Sequence, residues 1–339
     1  MLGCSAQPGI NDDDSSLGDD DDSSLGDDDD SSLGDDDDSS QGDDDDSGSG
    51  DDDDSALGDD DDSGGDDDDA TSPPAWTDLS AGRTHSCGID PTGALQCWGD
   101  NTDGQTTVPT GTFVQVSAGW YHSCALDPAG VVSCWGRNTD GQCNVPQNLL
   151  FSAVSTGNLS SCGVTLAGEI ECWGGPSGVG IMPPAGPVTS VTVSYRHNCT
   201  LNANSQPGRA HCWGSNAFGQ NDFDAANTYS QVSAGFRHSC ALTTGGEVHC
   251  IGQNDLGQTS VPTMTQPVVQ ISSRLDTSCA RLQDGTAVCW GANNQGQATP
   301  PAGVIWTQLE SGFAQGCGID ETGVPLCWGD DSFGQASPP

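Results

Sequence analysis

From residue 71 onward, apolar and polar positions alternate in short bursts of four to six residues, bounded by Gly, Pro, Asp and Asn. In the stretch that begins at Val114, VQVSAG alternates, HSCAL (His122–Leu126) alternates after it, and VVSCWG returns after the turn Asp127-Pro128-Ala129-Gly130. A period of two with turn residues at the breaks predicts three half-buried strands, and no window carries the 3.6-residue period of a helix. The same triplet recurs. The second unit, from Phe113, reads FVQVSAGWYHSCALDPAGVVSCWGRNTDGQCNVP, and the fifth, from Tyr229, reads YSQVSAGFRHSCALTTGGEVHCIGQNDLGQTSVP. The first Cys of successive units falls at 87, 124, 162, 199, 240, 279 and 317, steps of 37 to 41 residues.

Fourteen of the sixteen Cys form pairs within these units: Cys87/Cys97, Cys124/Cys134, Cys162/Cys172, Cys199/Cys212, Cys240/Cys250, Cys279/Cys289 and Cys317/Cys327. If Cys124 faces Cys134 across a hairpin, Leu126 faces Val132 and all four side chains share one face of the pleat. In the first unit Cys87, Ile89, Leu95 and Cys97 obey the same rule. Directly opposed Cα atoms lie about 4.5–5.5 Å apart, within the disulfide window of about 4.4–6.8 Å. Each unit therefore staples its own hairpin; the fourth, with thirteen residues between its Cys, has an enlarged loop from Asn202 to Arg209. Three or four strands per unit, repeated seven times without a helix, predict an all-β, seven-bladed β-propeller with one disulfide per blade over residues 71–339. An open β-solenoid is the alternative, but its coils are shorter and lack such staples.

Charge divides the chain. Of 50 acidic residues, 31 precede Ala70, where residues 15–70 repeat SSLGDDDD and its variants. This linker has almost nothing apolar to bury and is expected to be a disordered, self-repelling tether reaching at most roughly 200 Å. Its unbroken Asp runs lack the alternation of a calcium loop, so counterions are expected to condense loosely. All seven basic residues are Arg, and the net charge of −43 excludes partners that must be neutralised as phosphate is, so no nucleic acid is expected. No run of 18 apolar residues crosses a membrane. Regular Cys pairing places the chain in an oxidising compartment, outside the cell or on its outer surface. Within residues 1–14, Met1-Leu2-Gly3-Cys4-Ser5 matches the end of a bacterial lipoprotein signal, which makes Cys4 the candidate lipidation site and a lipid the one expected membrane contact. Cys143 lies outside the seven pairs, as an odd thiol that is either free or intermolecular.

The units AGxxHSCAL…GxVxCWGxNxxGQ resemble the repeat of the regulator of chromosome condensation family. The stretch CWGDNTDGQTTVPTGTFVQVSAGWYH, Cys97 to His122, is most similar to the compact bacterial branch of that family, which includes a propeller-type β-lactamase-inhibitory protein. The resemblance spans Trp76 to Gln335 and implies a propeller fold, with function left to individual loops. Those relatives lack the systematic Cys pairs.

Recurrent polar residues read as scaffold. Asn-x-x-Gly-Gln at Asn101, Asn138, Asn216, Asn254 and Asn293, with Asp331 in the last unit, makes a turn whose Gln satisfies backbone groups between blades; the third unit departs at Gly175-Pro176-Ser177-Gly178. His85, His122, His197 and His238 share one repeat position with Ser160, Thr277 and Gln315, which suits a hydrogen bond that holds a loop. No catalytic order, metal set or central acidic cluster stands out, so no catalytic residue, metal or cofactor is expected. The two positions before that one vary most. They hold five of the chain's nineteen aromatic residues, Trp120, Tyr121, Tyr195, Phe236 and Phe313, with Arg83, Arg196 and Arg237; Arg274 adjoins them. Trp, Tyr and Arg are the usual anchors of interfaces, so this face is the expected site for a protein partner. Family resemblance implies the same loops. The alternatives are guanine-nucleotide exchange as in the eukaryotic family, β-lactamase inhibition, and glycan binding by the aromatic and Arg surface.

Overall fold

The computed structural model describes residues 75–175, 183–184, 186–203 and 208–339. Cys4, the Asp linker, most of the third unit's departing loop and the tip of the enlarged hairpin lie outside them. Among the described residues are twenty-one strands in seven three-stranded antiparallel sheets, each sheet built from one repeat in chain order. In the first blade these are the inner strand Asp78–Ala81, the middle strand His85–Ile89 and the outer strand Leu95–Gly99. The inner strands touch one another in ring order, and that of blade 7 (Trp306–Ser311) meets that of blade 1. The chain is therefore a closed seven-bladed propeller with three strands per blade, the lower of the two predicted counts.

The hairpin register agrees with the Cys pattern. Cys87 opposes Cys97, Ile89 opposes Leu95, Cys124 opposes Cys134 and Leu126 opposes Val132. The other five blades repeat it, with Cys162 opposite Cys172, Cys199 opposite Cys212, Cys240 opposite Cys250, Cys279 opposite Cys289 and Cys317 opposite Cys327. All seven disulfides form between these partners.

Two details of the staples correct the sequence reading. Their Cα separations are 4.0–4.1 Å, shorter than the expected window, at Cys87–Cys97 and Cys124–Cys134 as at Cys162–Cys172, Cys199–Cys212, Cys240–Cys250, Cys279–Cys289 and Cys317–Cys327. Asp90 N–H bonds Ala94 O at 2.9 Å and Asp100 N–H bonds Thr84 O at 2.8 Å, which makes Cys87–Cys97 a non-hydrogen-bonded pair. Such pairs are the closer kind. The two sulfurs of a staple also differ in burial. The first Cys of every pair is buried on the middle strand, whereas Cys97, Cys134, Cys212, Cys250, Cys289 and Cys327 on outer strands are half-buried and Cys172 is exposed. The outer strand is an edge of its sheet, so its side chains are covered from one side only.

Cys143 is unpaired. Its thiol donates to Arg137 O at 3.3 Å, and burial pushes its pKa up to about 11, so it is a thiol and not a thiolate at neutral pH.

No single core exists among the described residues. Seven small apolar clusters form, each mainly between consecutive blades; one joins Ile89 and Leu95 of blade 1 to Phe113, Val116 and Ala125 of blade 2. The inner strand of each sheet is an edge with unpaired backbone groups. Side chains of the preceding blade satisfy it. Gln115, Gln231 and Gln270 each bond both the N–H and the C=O of one residue in the next blade, Val154, Ile271 and Leu309. Two residues on, Ser80, Ser117, Ser155, Thr192, Ser233 and Ser272 accept N–H groups from the next inner strand at 2.8–3.3 Å. The seam between blades 7 and 1 is closed by Gln308 on Asp78 and Leu79, Gln315 on Gly82, and Gln335 O accepting from Ser86 Oγ and Trp98 Nε1.

The recurrent residues serve the same end. The Asn101 and Asn138 carboxamide oxygens accept the N–H five residues on, while the Gln105 and Gln142 side chains accept the N–H two residues back. Trp135, Trp290 and Trp328 donate to the Gln carbonyl of the preceding blade at 2.8–3.0 Å. Each His of the shared repeat position reaches the next blade: His85 to Ser123, His122 to Ser161, His197 to Ser239 and His238 to Ser278, all at 2.7–2.9 Å. Burial holds His85, His122 and His238 down to about 3 and His197 to about 4, so all four are neutral. The expected loop-holding bond is thus a blade-to-blade bond.

Neighbouring backbones approach closely at the glycine three residues before His85, His122 and His238, a place that Ser194 takes before His197. A Cβ on Gly82 would lie 2.6 Å from Gly119 O, and one on Gly119 would lie 2.6 Å from Gly157 O. Gly119→Ala is expected to destabilise the fold by about 1–3 kcal/mol through this overpacking. A thermal melt checks it, and an unchanged midpoint would show that the ring tolerates wider spacing.

Candidate functional site

These glycines form a throat at one end of the propeller. Arg83 N–H bonds Gly119 O, Trp120 N–H bonds Gly157 O and Phe313 N–H bonds Gly82 O, each at 3.1 Å, and Phe236 N–H bonds Leu275 O at 2.7 Å. In these four blades the residue after the glycine is thereby locked to the next blade, with its side chain directed toward the axis. Aromatics from blades 2, 4, 5 and 7 consequently meet. Trp120 stacks on Tyr195 at 5.2 Å between ring centroids and meets Phe313 edge-on at 5.6 Å, while Tyr195 packs on Phe236 at 4.8 Å. Arg83 from blade 1 lies 5.1–5.3 Å from the centroids of Trp120, Tyr121 and Phe313 and donates to Tyr121 Oη. Such cation–π contacts gain strength where water is excluded. The positions expected to be spread around a ring instead converge in a plug over the axis.

Around the plug stand the other cations. Arg196 is exposed, with its guanidinium 5.2 Å from the Tyr195 ring; Arg237 lies over Phe236 and Phe218 at 4.8 and 5.1 Å. Arg137, not singled out in the sequence, covers Tyr121 at 4.0 Å and pairs with Asp103 at 3.0 Å. Burial, then repulsion from Arg137, lowers the Arg83 pKa from its usual value. Asp276, in the turn position that Arg196 and Arg237 occupy in their blades, is raised chiefly by burial.

Below the plug runs an axial cavity of about 460 Å³, walled by the inner strands. Arg274 belongs here and not with the face residues: it sits one position earlier, where five other blades carry glycine and blade 4 carries Ser194, and lines both the cavity and its narrow end beneath Trp120, Tyr195 and Phe236. Glu310 and Asp78 line the same cavity. Burial, with the neighbouring Asp78 charge, pushes Glu310 up to about 7, and burial also raises Asp78. The expectation of no central acidic cluster is therefore corrected. These carboxylates lie in inner strands, where the repeat pattern makes every residue look like scaffold. Among the described residues, no group of three or more His, Cys, Asp or Glu is placed to hold a metal ion.

Four of the seven units, residues 76–105, 113–142, 229–258 and 268–297, match the regulator of chromosome condensation (RCC1) repeat. Four of the seven blades are thus RCC1 repeats. No curated protein sequence matches it. Solved structures share the fold at low identity. The ectodomain of receptor kinase CR4 from Physcomitrella patens is 22% identical with a TM-score of 0.65, covering 75% of this chain and 73% of that one. The CRINKLY WD40 ectodomain of Arabidopsis thaliana receptor kinase ACR4 is 22% identical with a TM-score of 0.63, covering 75% and 96%. Prp20p from Saccharomyces cerevisiae, whose binding to Gsp1p and histones accompanies its structure, is 14% identical with a TM-score of 0.62, covering 79% and 86%. An RCC1-repeat propeller with seven disulfides is a fold suited to protein interaction in an oxidising setting.

Proposed function

We propose that this RCC1-repeat propeller is an extracellular or surface-held binding module that captures a protein partner on its plugged end. The carrying observation is convergence: aromatics from separate blades meet on the axis, ringed by Arg83, Arg137, Arg196 and Arg237. In a chain of net charge −43, four of seven cations gather at one end, which favours a partner patch with acidic groups around an apolar centre. The backbone locks beneath them pre-organise the surface, so little ordering entropy is lost on binding. Prp20p, of the same fold, binds Gsp1p and histones. Exchange on a small GTPase requires an intracellular chain, against which the disulfides argue.

The expected result is that Arg196→Glu with Arg237→Glu removes cross-linked partners from an extracellular fraction by more than tenfold while the thermal midpoint stays within two or three degrees. Both are rim residues, so this spares the stacked centre. Undiminished capture by that folded variant would remove the plugged end from consideration.

A further inference from the structure

Three charged side chains break the repeat on the axis, one from each of three consecutive blades. Arg274 of blade 6 stands where the other blades have Gly82, Gly119, Gly157, Ser194, Gly235 and Gly312. Glu310 of blade 7 stands where they have Ser or Thr, and Asp78 of blade 1 where four have Gln. Asp78 keeps a scaffold role, accepting from Val116 N–H at 2.8 Å and Gln308 Nε2 at 2.9 Å. Ring closure needs neither Arg274 nor Glu310 in charged form. Among the described residues Arg274 has no hydrogen-bond acceptor and no ion pair within reach, although it interacts electrostatically with Glu310. Glu310 accepts from Ser272 Oγ at 3.1 Å and interacts with the Gln308 side chain. Across the axis, blades 3 and 4 carry the shorter Ala153 and Ser190 in the Gln column, and Ser190 lines the cavity.

A guanidinium and a carboxylate that share a cavity and sense each other without touching each lack a contacting partner of opposite charge. The geometry points to a small zwitterion of the free amino acid class as the occupant, its carboxylate on Arg274 and its ammonium on Glu310, with Asp78 adding a second negative charge nearby. The cavity volume, about 460 Å³, falls in the range of small-ligand sites. Arg274 suits the carboxylate because its fork donates to it in two parallel bonds. The plug blocks one end, so entry is from the other, where the exposed Thr189 and Ser230 line the mouth.

Calorimetry and thermal shift with each of the twenty L-amino acids at pH 7.5 test this, beside the matched amines without the carboxylate and the matched acids without the amine. The expected result is saturable binding of one or a few amino acids, weakened at least tenfold when either pole is deleted from the ligand. Arg274→Gly and Glu310→Ser restore the residues other blades use, so both variants are expected to fold, and each weakens binding at least tenfold. Arg274→Ser, the blade 4 choice, is the second variant should the glycine fail. Binding by none of the twenty, equal binding of a one-pole analogue, or unchanged affinity in a folded variant would each overturn the assignment. Partner capture at the plugged end is read separately and does not bear on this outcome.

Discussion

Reduction of the disulfides is expected to unfold the propeller at room temperature. Each Cys pair closes a loop of 10 or 13 residues, and in the chain-entropy picture such a loop stabilises by about 2.5–3 kcal/mol. Seven together contribute roughly 20 kcal/mol by that reckoning, more than the 5–15 kcal/mol typical of a whole domain. The apolar clusters cannot compensate, because each is small and confined mainly to one blade interface. Reductant has a way in, since the outer-strand sulfur of each pair is only half-covered and that of Cys172 is on an exposed residue. Circular dichroism in a thiol-free phosphine reductant at 25 °C checks the point: β-sheet signal and the cooperative melt are expected to vanish. A reduced chain that melted within ten degrees of the oxidised one would show that hydrogen bonds between blades suffice.

The second large effect is acid lability with the disulfides intact. His85, His122, His197 and His238 are neutral in the fold, held at about 3 to 4 by burial, whereas the unfolded chain titrates them near 6.5. Below that pH the unfolded state binds more protons, so stability is present above about 6.5 and is lost as pH falls toward the folded values. Between pH 7 and 5 each His costs about 2 kcal/mol, or about 8 kcal/mol for the four. Glu310 works in the opposite direction. Its pKa is raised to about 7, so it gains stability as pH falls through 7 toward 4.5, which offsets about 2 kcal/mol of the loss. Unfolding free energies from denaturant titrations are expected to be lower at pH 5 than at pH 7 by at most about 6 kcal/mol, since Asp78 and Asp276, also raised by burial, add to the offset. His122→Gln copies the side chain that Gln315 supplies in blade 7, and should remove about a quarter of the histidine contribution. Equal midpoints at the two pH values would mean that the imidazoles are hydrated in the fold.

Much of this was legible because a repeat samples one local environment seven times. The pairing of Cys87 with Cys97 and of Leu126 with Val132 follows from pleat alternation alone. That each blade stops at three strands was not decided, since a fourth strand is a matter of tertiary pairing. For the same reason the unequal burial of the two sulfurs in a pair was hidden: it depends on which strand ends the sheet. For the His, a hydrogen bond was readable from the Ser, Thr and Gln replacements, but its partner on the next blade was not: Ser123 lies 38 residues from His85. The aromatics illustrate the same limit. Their variability was visible, yet whether side chains on equivalent turns spread out or meet depends on the throat radius, set by glycine contacts between blades. Arg274 and Glu310 were readable in principle, as charges in a glycine column and a hydroxyl column, but only when inner-strand positions are compared as closely as loops.

Among the described residues, each sheet is made wholly from one contiguous repeat, and no strand is borrowed across the seam between blades 7 and 1. The ends of the ring are thus joined by side-chain and turn contacts of the same kind that join every other pair of neighbours. A gene rearranged to begin at Phe113 and end at Val108, with a short linker between the old termini, would encode the same ring with its opening moved by one blade. In such an architecture, the place where the polypeptide starts is a matter of history and attachment, while the mechanical cycle of seven units has no intrinsic first member.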